Sequence, residues 1–264
     1  LGDIMGPSGR EAIIKKLPNL IKEQKLDFVI VNGENAADEG VGITKKNAEE
    51  FFNAGVDVIT TGNHVWDQKE TTEFINSEKR LLRPKNLIKG SPGEGYGIFK
   101  SKNNKKVAVL NLMGNIFMKK CEDAFQEAKT FIQNIKLKKE ADFIVVDFHG
   151  EITSEKMAMG YLFDGKATMV VGTHTHVPTS DHRIMDKGTA YQTDIGMCGD
   201  YNSVIGMNRD NSLKKFFRDS KATKHYPALG EATISGLMVE ADSNTGLAKK
   251  IKPIIFGGLL ESTI

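Results

Sequence analysis

Residues 59–67 read ITTGNHVWD, and this stretch indicates the fold of the chain. It closes a run of strand-forming residues that begins at Val56, and Gly62 stops that run. Asn63 and His64 follow directly, so a strand that reads as buried ends by presenting two polar side chains next to each other. Four other predicted strands end in a similar way, which indicates one shared site at the edge of a sheet.

Predicted strands and helices alternate over most of the chain, which is typical of α/β proteins. The first helix is expected at residues 8–24, with Ser8 opening a capping box and Pro18 kinking or splitting the helix. After Pro178 the pattern changes to antiparallel hairpins. We therefore expect one α/β domain over residues 1–264 with an antiparallel C-terminal part. Further helices are expected at residues 44–55, 67–79, 121–140 and 153–166.

Composition excludes several classes of protein. Of the 264 residues, 39% are hydrophobic and 27% are charged, and the net charge of +2 is too small to indicate a nucleic-acid or membrane partner. The two cysteines, Cys121 and Cys198, exclude a disulfide framework, a cysteine-rich zinc site and a disulfide-linked partner. No apolar run approaches the roughly 18 residues of a membrane span, so we expect a cytoplasmic protein. The sequence leaves open whether the chain forms a homo-oligomer. Because the chain opens directly with LGD, we expect the first strand to begin before Leu1.

Polar residues follow five predicted strands, each with a glycine close by. They are Asp3, Glu34 with Asn35, Asn63 with His64, His149, and His174 with His176. The last pair lies in ATMVVGTHTH, residues 167–176, which is predicted to be extended to its end, so that both imidazoles point to the same side. The carboxyl ends of strands form the edge where α/β sheets build ligand sites.

Each of these residues also has a simpler interpretation. Asp3 or Glu34 could cap the helix that follows, His149 could be a hydrogen-bonded core histidine, and the asparagines could form turns. Five such coincidences on one sheet edge are improbable. Together the residues supply carboxylate oxygens, amide oxygens and four imidazoles, which is a donor set that fits a pair of divalent metal ions.

Other motifs indicate little. GDIMGPSGRE, residues 2–11, lacks the Gly-Lys-Ser/Thr of a phosphate-binding loop and does not fit GxGxxG, and the chain contains no GxSxG motif. Trp66 is interpreted as a packing anchor rather than a base-stacking residue. His182 could line the rim of the site, and His225 is expected at the surface.

Several segments resemble the calcineurin-like metallophosphoesterases, and among them the YmdB-like branch, over essentially the full chain. They are GDIMGPSGR (2–10), VNGENAADEGVGIT (31–44), TTGNHVWD (60–67), DFHGE (147–151), VGTHTHVPTSDHRI (171–184) and YQTDIGMCGDYNSVIGM (191–207). Two features depart from the wider superfamily. The usual Asp-x-His opening is absent after Asp3, and Glu34 stands where a bridging aspartate is usual. Both features match the YmdB-like branch.

This resemblance implies a four-layer α/β/β/α sandwich with mixed sheets, and two divalent transition-metal ions. Iron or manganese is favoured, and zinc is an alternative. The family activity is phosphodiester hydrolysis, with cyclic nucleotides as substrates. The first ion would be held by Asp3, Glu34, Asn35 and His176, and the second by Glu34, Asn63, His149 and His174.

The resemblance also implies separate roles for Glu34 and His64. Glu34 would bridge the two ions, and a pair of cations roughly 4 Å apart can share a hydroxide that attacks a phosphodiester. His64 would approach the substrate and protonate the departing oxygen, a role that suits imidazole because it titrates near neutral pH.

Three functions remain open from the sequence. The leading hypothesis is a dinuclear metal-dependent phosphodiesterase that acts on 2′,3′-cyclic or 3′,5′-cyclic nucleotides or on RNA-like diesters. The same ligands would also serve a phosphomonoesterase or nucleotidase. The third is a regulatory nucleotide-binding protein with vestigial hydrolysis, against which His64 argues, because a protein that only binds needs no proton donor.

Overall fold

The computed structural model describes residues 1–264, and its first sheet is fully parallel. The strand order is β10-β1-β2-β3. The strands are β1 (Asp3–Ile4), β2 (Ile30–Asn32), β3 (Val58–Thr60) and β10 (Met197–Cys198). Helices α1 (Gly6–Glu23) and α2 (Lys45–Asn53) cover its outer face, with the short α3 (Thr71–Phe74) after β3.

The second sheet is mixed and has six strands in the order β4-β5-β6-β7-β9-β8. Its members are β4 (Tyr96–Lys100), β5 (Lys106–Met113), β6 (Phe143–His149), β7 (Met169–Thr173), β8 (Arg183–Ile184) and β9 (Ala190–Gln192). The edge pairs β4–β5 and β8–β9 are antiparallel, whereas β5, β6, β7 and β9 run parallel. Helices α4 (Ala124–Asn134) and α5 (Thr153–Phe163) pack on its outer face.

The C-terminal part adds α6 (Arg209–Phe216) and an antiparallel hairpin of β11 (Ile234–Ala241) and β12 (Ala248–Phe256). The hairpin lies beside the first sheet, where the Gly2 N–H donates to the Ser235 carbonyl over 3.0 Å. None of the six helices combines the length and the apolar character needed to cross a bilayer.

Three layers of apolar side chains pack between the sheets and the helices. One lies between the first sheet and its helices, with Ile13 and Phe51 against Val31. Another lies between the second sheet and its helices, with Phe163 against Val146. Alternate residues of the same strands, such as Val58 and Val145, pack between the two sheets. The result is the α/β/β/α sandwich with mixed sheets and antiparallel C-terminal hairpins that the resemblance implied.

The first helix differs from its prediction in where it begins and in how it is capped. It begins at Gly6, with Met5 as its N-cap, and Ser8 does not cap it but donates its hydroxyl to the Ala228 carbonyl at 3.3 Å. Pro7 lies in the first turn, where a backbone N–H has no helical partner and is not needed. Pro18 does not split the helix, which continues to Glu23.

The predicted extended conformation at HTH is wrong. Strand β7 ends at Thr173, and His174 and His176 have φ of 104° and 66°, in the left-handed region. Side-chain acceptors hold this turn, because the His174 N–H donates to Asp3 Oδ2 and the Thr175 N–H donates to Asp194 Oδ2, each over 3.1 Å. The helix expected at 67–79 is also reduced to the four residues of α3.

Candidate metal centre

The carboxyl ends of β1, β2, β3, β6 and β7, with the loops after them, meet where the two sheets face each other. The first sheet delivers oxygen donors and the second delivers imidazoles. From the first come Asp3, Glu34, Asn35 and Asn63; from the second come His149, His174 and His176. The structure therefore brings together residues that are as far apart in sequence as 3 and 176.

His149 lies at the middle of this group and is fully buried. Its Nε2 is 3.0 Å from Glu34 Oε1, 3.1 Å from Asn63 Oδ1 and 3.0 Å from His174 Nδ1. Ligand atoms of Glu34, His149 and His174 lie within 4.8 Å of one another, which is the spacing needed to hold a metal ion.

Asp3 and Asn35 provide a test of whether the site suits cations. Both are buried, and both Asp3 Oδ1 and Asn35 Oδ1 lack a hydrogen-bond partner. The other polar atoms of these side chains are used, since Asp3 Oδ2 accepts from the His174 N–H and Asn35 Nδ2 donates to the Gly40 carbonyl at 3.0 Å. A buried oxygen without a donor is costly. A cation beside these two atoms would remove that cost, so the residues present fit the implied metals.

His176 is oriented by the backbone. Its Nδ1 lies 2.7 Å from the Ile205 carbonyl oxygen, so Nδ1 carries the proton and Nε2 remains free to act as a ligand. The imidazole is buried. The four expected donors of the first ion, Asp3, Glu34, Asn35 and His176, are all buried.

Glu34 and His149 form a coupled pair. Burial by itself would raise the pKa of Glu34, but the charge of His149 and its hydrogen bond lower it to about 2. Burial would likewise lower the pKa of His149, but the Glu34 carboxylate, followed by Asp3 and Asp147, raises it to about 9. Without a metal ion, protonated His149 is the cation that neutralises the carboxylates.

The two neighbours of this pair shift differently. Burial raises the pKa of Asp3 to about 6, against the charges of His176 and His149. Burial, and then the positive charge of His149, lowers the pKa of His174 to about 3, so its imidazole is neutral near pH 7. A neutral imidazole is the form that binds metal.

The His64 side chain pairs with Asp67 and not with the residues of the ligand cluster. Its Nδ1 lies 2.6 Å from Asp67 Oδ2, which leaves Nε2 without a protein partner. The His64 backbone N–H donates to Glu34 Oε2 at 3.0 Å, and this bond ties the residue to the centre. Lys119 contacts the same segment, with Nζ 2.6 Å from the Asn63 carbonyl oxygen and 3.5 Å from Asp67 Oδ1.

Gly62 explains why the run of strand residues stops where it does. A Cβ at this position would lie 2.2 Å from His149 Cδ2 and 2.4 Å from Glu34 Oε2. Only glycine lets the backbone pass this close to the two buried side chains. Trp66 packs against the core between the first sheet and its helices, and His225 is exposed, as expected for both; His182 is half-buried.

The sequence did not indicate the residues that support the imidazoles. Buried Asp147 accepts hydrogen bonds from Asn32 Nδ2 at 3.1 Å and from Thr173 Oγ1 at 2.7 Å, and Thr173 Oγ1 lies 2.9 Å from His149 Nδ1. A carboxylate within the apolar strand FIVVDFH was the available signal.

A second supporting pair is Lys156 and Asp194, buried with Nζ and Oδ2 at 2.7 Å. The same Asp194 oxygen accepts from the Thr175 N–H between the two histidines of the turn. Gly172 makes room for this lysine, because a Cβ there would lie 2.9 Å from Lys156 Cδ. Nothing in the helix sequence TSEKMAMGYLF marks Lys156 as buried.

Comparison with known proteins gives consistent matches. The family model described as YmdB-like protein matches residues 1–254. The chain is 42% identical over 255 residues to the 2′,3′-cyclic-nucleotide 2′-phosphodiesterase of Bacillus subtilis, covering 97% of this chain and 95% of that protein. A crystal structure of a novel phosphatase from Mycoplasma pneumoniae has a TM-score of 0.88 at 38% identity, covering 97% and 92% of the two chains. A hypothetical protein from Thermus thermophilus also gives 0.88, at 35% identity and 98% coverage of both.

Proposed function

Because this chain belongs to the family of YmdB-like proteins, we propose that it is a metal-dependent phosphodiesterase. The proposed substrates are 2′,3′-cyclic or 3′,5′-cyclic nucleotides or RNA-like diesters. A relative described as a 2′,3′-cyclic-nucleotide 2′-phosphodiesterase, matched over nearly its whole length, supports the first of these. The observation that carries the proposal is the pair of buried, unpartnered oxygens beside the Glu34–His149–His174 cluster.

Two divalent transition-metal ions are proposed as cofactors, iron or manganese before zinc, since carboxylates with imidazoles suit these ions. Asp3, Glu34, Asn35 and His176 would hold one ion. Glu34, Asn63, His149 and His174 would hold the other. When bound, the ions supply Lewis acidity at the phosphoryl group and a nucleophile at neutral pH.

The other tasks fall to side chains of the chain itself. His64 Nε2 is the proposed proton donor to the departing oxygen, and Asp67 holds Nδ1 so that Nε2 faces the substrate. Glu34 links the two roles, because it contacts His149 with one oxygen and accepts from the His64 backbone N–H with the other. Lys119 adds a positive charge at the rim, where an anionic phosphate would enter.

A phosphomonoesterase is the second candidate, because a similar structure is described as a novel phosphatase. The test compares bis(4-nitrophenyl) phosphate with 4-nitrophenyl phosphate, each with and without manganese. A phosphodiesterase hydrolyses the diester faster and needs the metal. Preference for the monoester would support the second candidate. Failure on both substrates, with metal bound, would leave the regulatory nucleotide-binding alternative.

A further inference from the structure

A two-residue turn lies directly beside His176. Val204 and Met207 exchange both backbone hydrogen bonds, each at 2.9 Å, and enclose Ile205 and Gly206. The φ angles of these two central residues are 49° and 90°. Positive φ at both central positions is the geometry of a type I′ turn, in which Asn-Gly or Asp-Gly is the usual sequence.

Isoleucine is a poor residue for that position. A β-branched side chain in the left-handed region is a conformational outlier. Eight non-glycine residues of the chain have positive φ, and Ile205 is the only β-branched one; the others are Lys25, Asn104, Phe117, Lys138, His174, His176 and Arg218. Strain of this kind persists where the surrounding structure enforces it, and it concentrates at functional sites.

Neither packing nor hydrogen bonding explains why the residue is isoleucine. Its carbonyl oxygen orients His176, but asparagine or glycine would offer the same carbonyl. Its side chain is 56% exposed, so it does not fill the core. Ile205 therefore presents an exposed β-branched side chain in the loop whose carbonyl contacts His176, next to an otherwise polar centre.

We propose that the exposed Ile205 side chain contacts the nucleobase of the substrate and that Ile205 is a specificity-determining residue. The inference rests on the proposed phosphodiesterase function. A flat base offers an apolar face, and apolar contact with that face tolerates any base. Held beside His176, the base would lie within one nucleotide's reach of the phosphate at the centre. The expected substrate class is a nucleoside phosphodiester with weak preference among bases.

Phe117 provides a matched control. It is also apolar, at 85% exposure, and also has a positive φ of 59°. Lys119, two residues after Phe117, donates to the Asn63 carbonyl just after β3. Ile205, in contrast, belongs to the loop after β10. These are the two edge strands of the first sheet, about 14 Å apart across three strand spacings. One base cannot rest on both residues.

The experiment compares a 2′,3′-cyclic nucleotide with the 2′,3′-cyclic phosphate of 1-O-methyl ribose, which has no base. For Ile205→Asn, the ratio of kcat/KM with and without the base should fall about fivefold. The loss should lie in KM for the nucleotide rather than in kcat, because the base takes no part in bond breaking. Phe117→Ser should leave the ratio as in the wild type.

Protein stability separates recognition from packing. Asparagine tolerates positive φ, so Ile205→Asn should melt at the wild-type temperature or above it. A clear fall in Tm, or an unchanged ratio with the wild type active on both substrates, would overturn the inference and leave the proposed function intact. A drop in the ratio for Phe117→Ser alone would place the base at the other edge and also overturn it. If the wild type hydrolyses bis(4-nitrophenyl) phosphate but neither of these substrates, the inference falls and the proposed phosphodiesterase stands; if it hydrolyses none of the three, both proposals fall.

Discussion

The two sheets contribute to the centre in different ways. Strands of the first sheet are two or three residues long, and their loops bring carboxylate and amide oxygens. The parallel strands β5, β6 and β7 of the second sheet are eight, seven and five residues long; His149 is the last residue of β6, and His174 and His176 follow β7. The hydrogen bonding of the two sets of donors also differs. His149 and His176 each have a fixed partner on Nδ1, whereas Asp3 Oδ1 and Asn35 Oδ1 have none.

This contrast fits a centre in which the fold organises the imidazole edge (His149, His174 and His176) and the proposed cations would complete the oxygen edge (Asp3, Glu34, Asn35 and Asn63). Glu34 contacts His149 with one oxygen and accepts from the His64 N–H with the other, and Asn63 Oδ1 also lies 3.1 Å from His149 Nε2. Substitutions on the two edges should therefore have different effects on metal content and on activity.

The largest effect is expected at Glu34, the only carboxylate in both proposed ligand sets. Glu34→Ala should reduce the metal content from two ions per chain to less than one, because both proposed ligand sets include this carboxylate. Asp3→Ala should remove mainly one ion. Elemental analysis of both variants, purified with manganese, checks this. Equal loss of a single ion from each variant would contradict the proposed bridging role.

The next effect concerns His64, which neither edge uses as a ligand. His64→Ala should keep its metals and lose turnover by about 10²–10⁴-fold, the usual range for a general acid. The loss should shrink for a diester with an activated leaving group, which needs little protonation. Asn63→Ala is the neighbouring control and should lower the occupancy of one ion. If His64→Ala loses metal, or if the defect is the same for every leaving group, His64 is not the acid.

A smaller effect tests the support of the imidazole edge. Thr173→Val removes the hydroxyl between Asp147 Oδ1 and His149 Nδ1 and should weaken metal binding about 10–100-fold, as loss of outer hydrogen-bond partners does. Titration of the metal-free protein with manganese measures the affinity. The exposed Thr130→Val on α4 is the matched control. An unchanged affinity in Thr173→Val would mean that packing alone orients His149.

The sequence predicted the donors better than it predicted their support. Polar residues after apolar strands are visible because they break a pattern, and Gly62 marks the close approach to His149. The turn at HTH was invisible, since its conformation depends on acceptors from Asp3 and Asp194, far away in sequence. Lys156 was missed for the same reason, because a lysine on a helix reads as exposed until a distant carboxylate pairs with it.

The smallest effect concerns the pH dependence of the metal-free protein. The pKa of His149 is about 9 in the folded state against an ordinary value of 6.5, so its contribution to stability is complete below pH 6.5 and is lost as the pH rises through 9. Asp3, with a pKa of about 6, and His174, with one of about 3, finish their own changes below this window. Between pH 6.5 and 9 the Tm of the metal-free protein should fall by about 5 °C.

Metal should reverse this trend, because the ions bind neutral His149 and their affinity rises as the imidazole loses its proton. Melting curves at pH 6.5, 7.5 and 9, with EDTA and with manganese, therefore compare the two edges directly. The His149→Asn variant lacks the titrating group, so its metal-free Tm should be flat across the window. A flat wild-type curve in EDTA would show that His149 is neutral without metal. The oxygen edge would then have no cation of its own, and the apoprotein should be less stable at every pH than the manganese form.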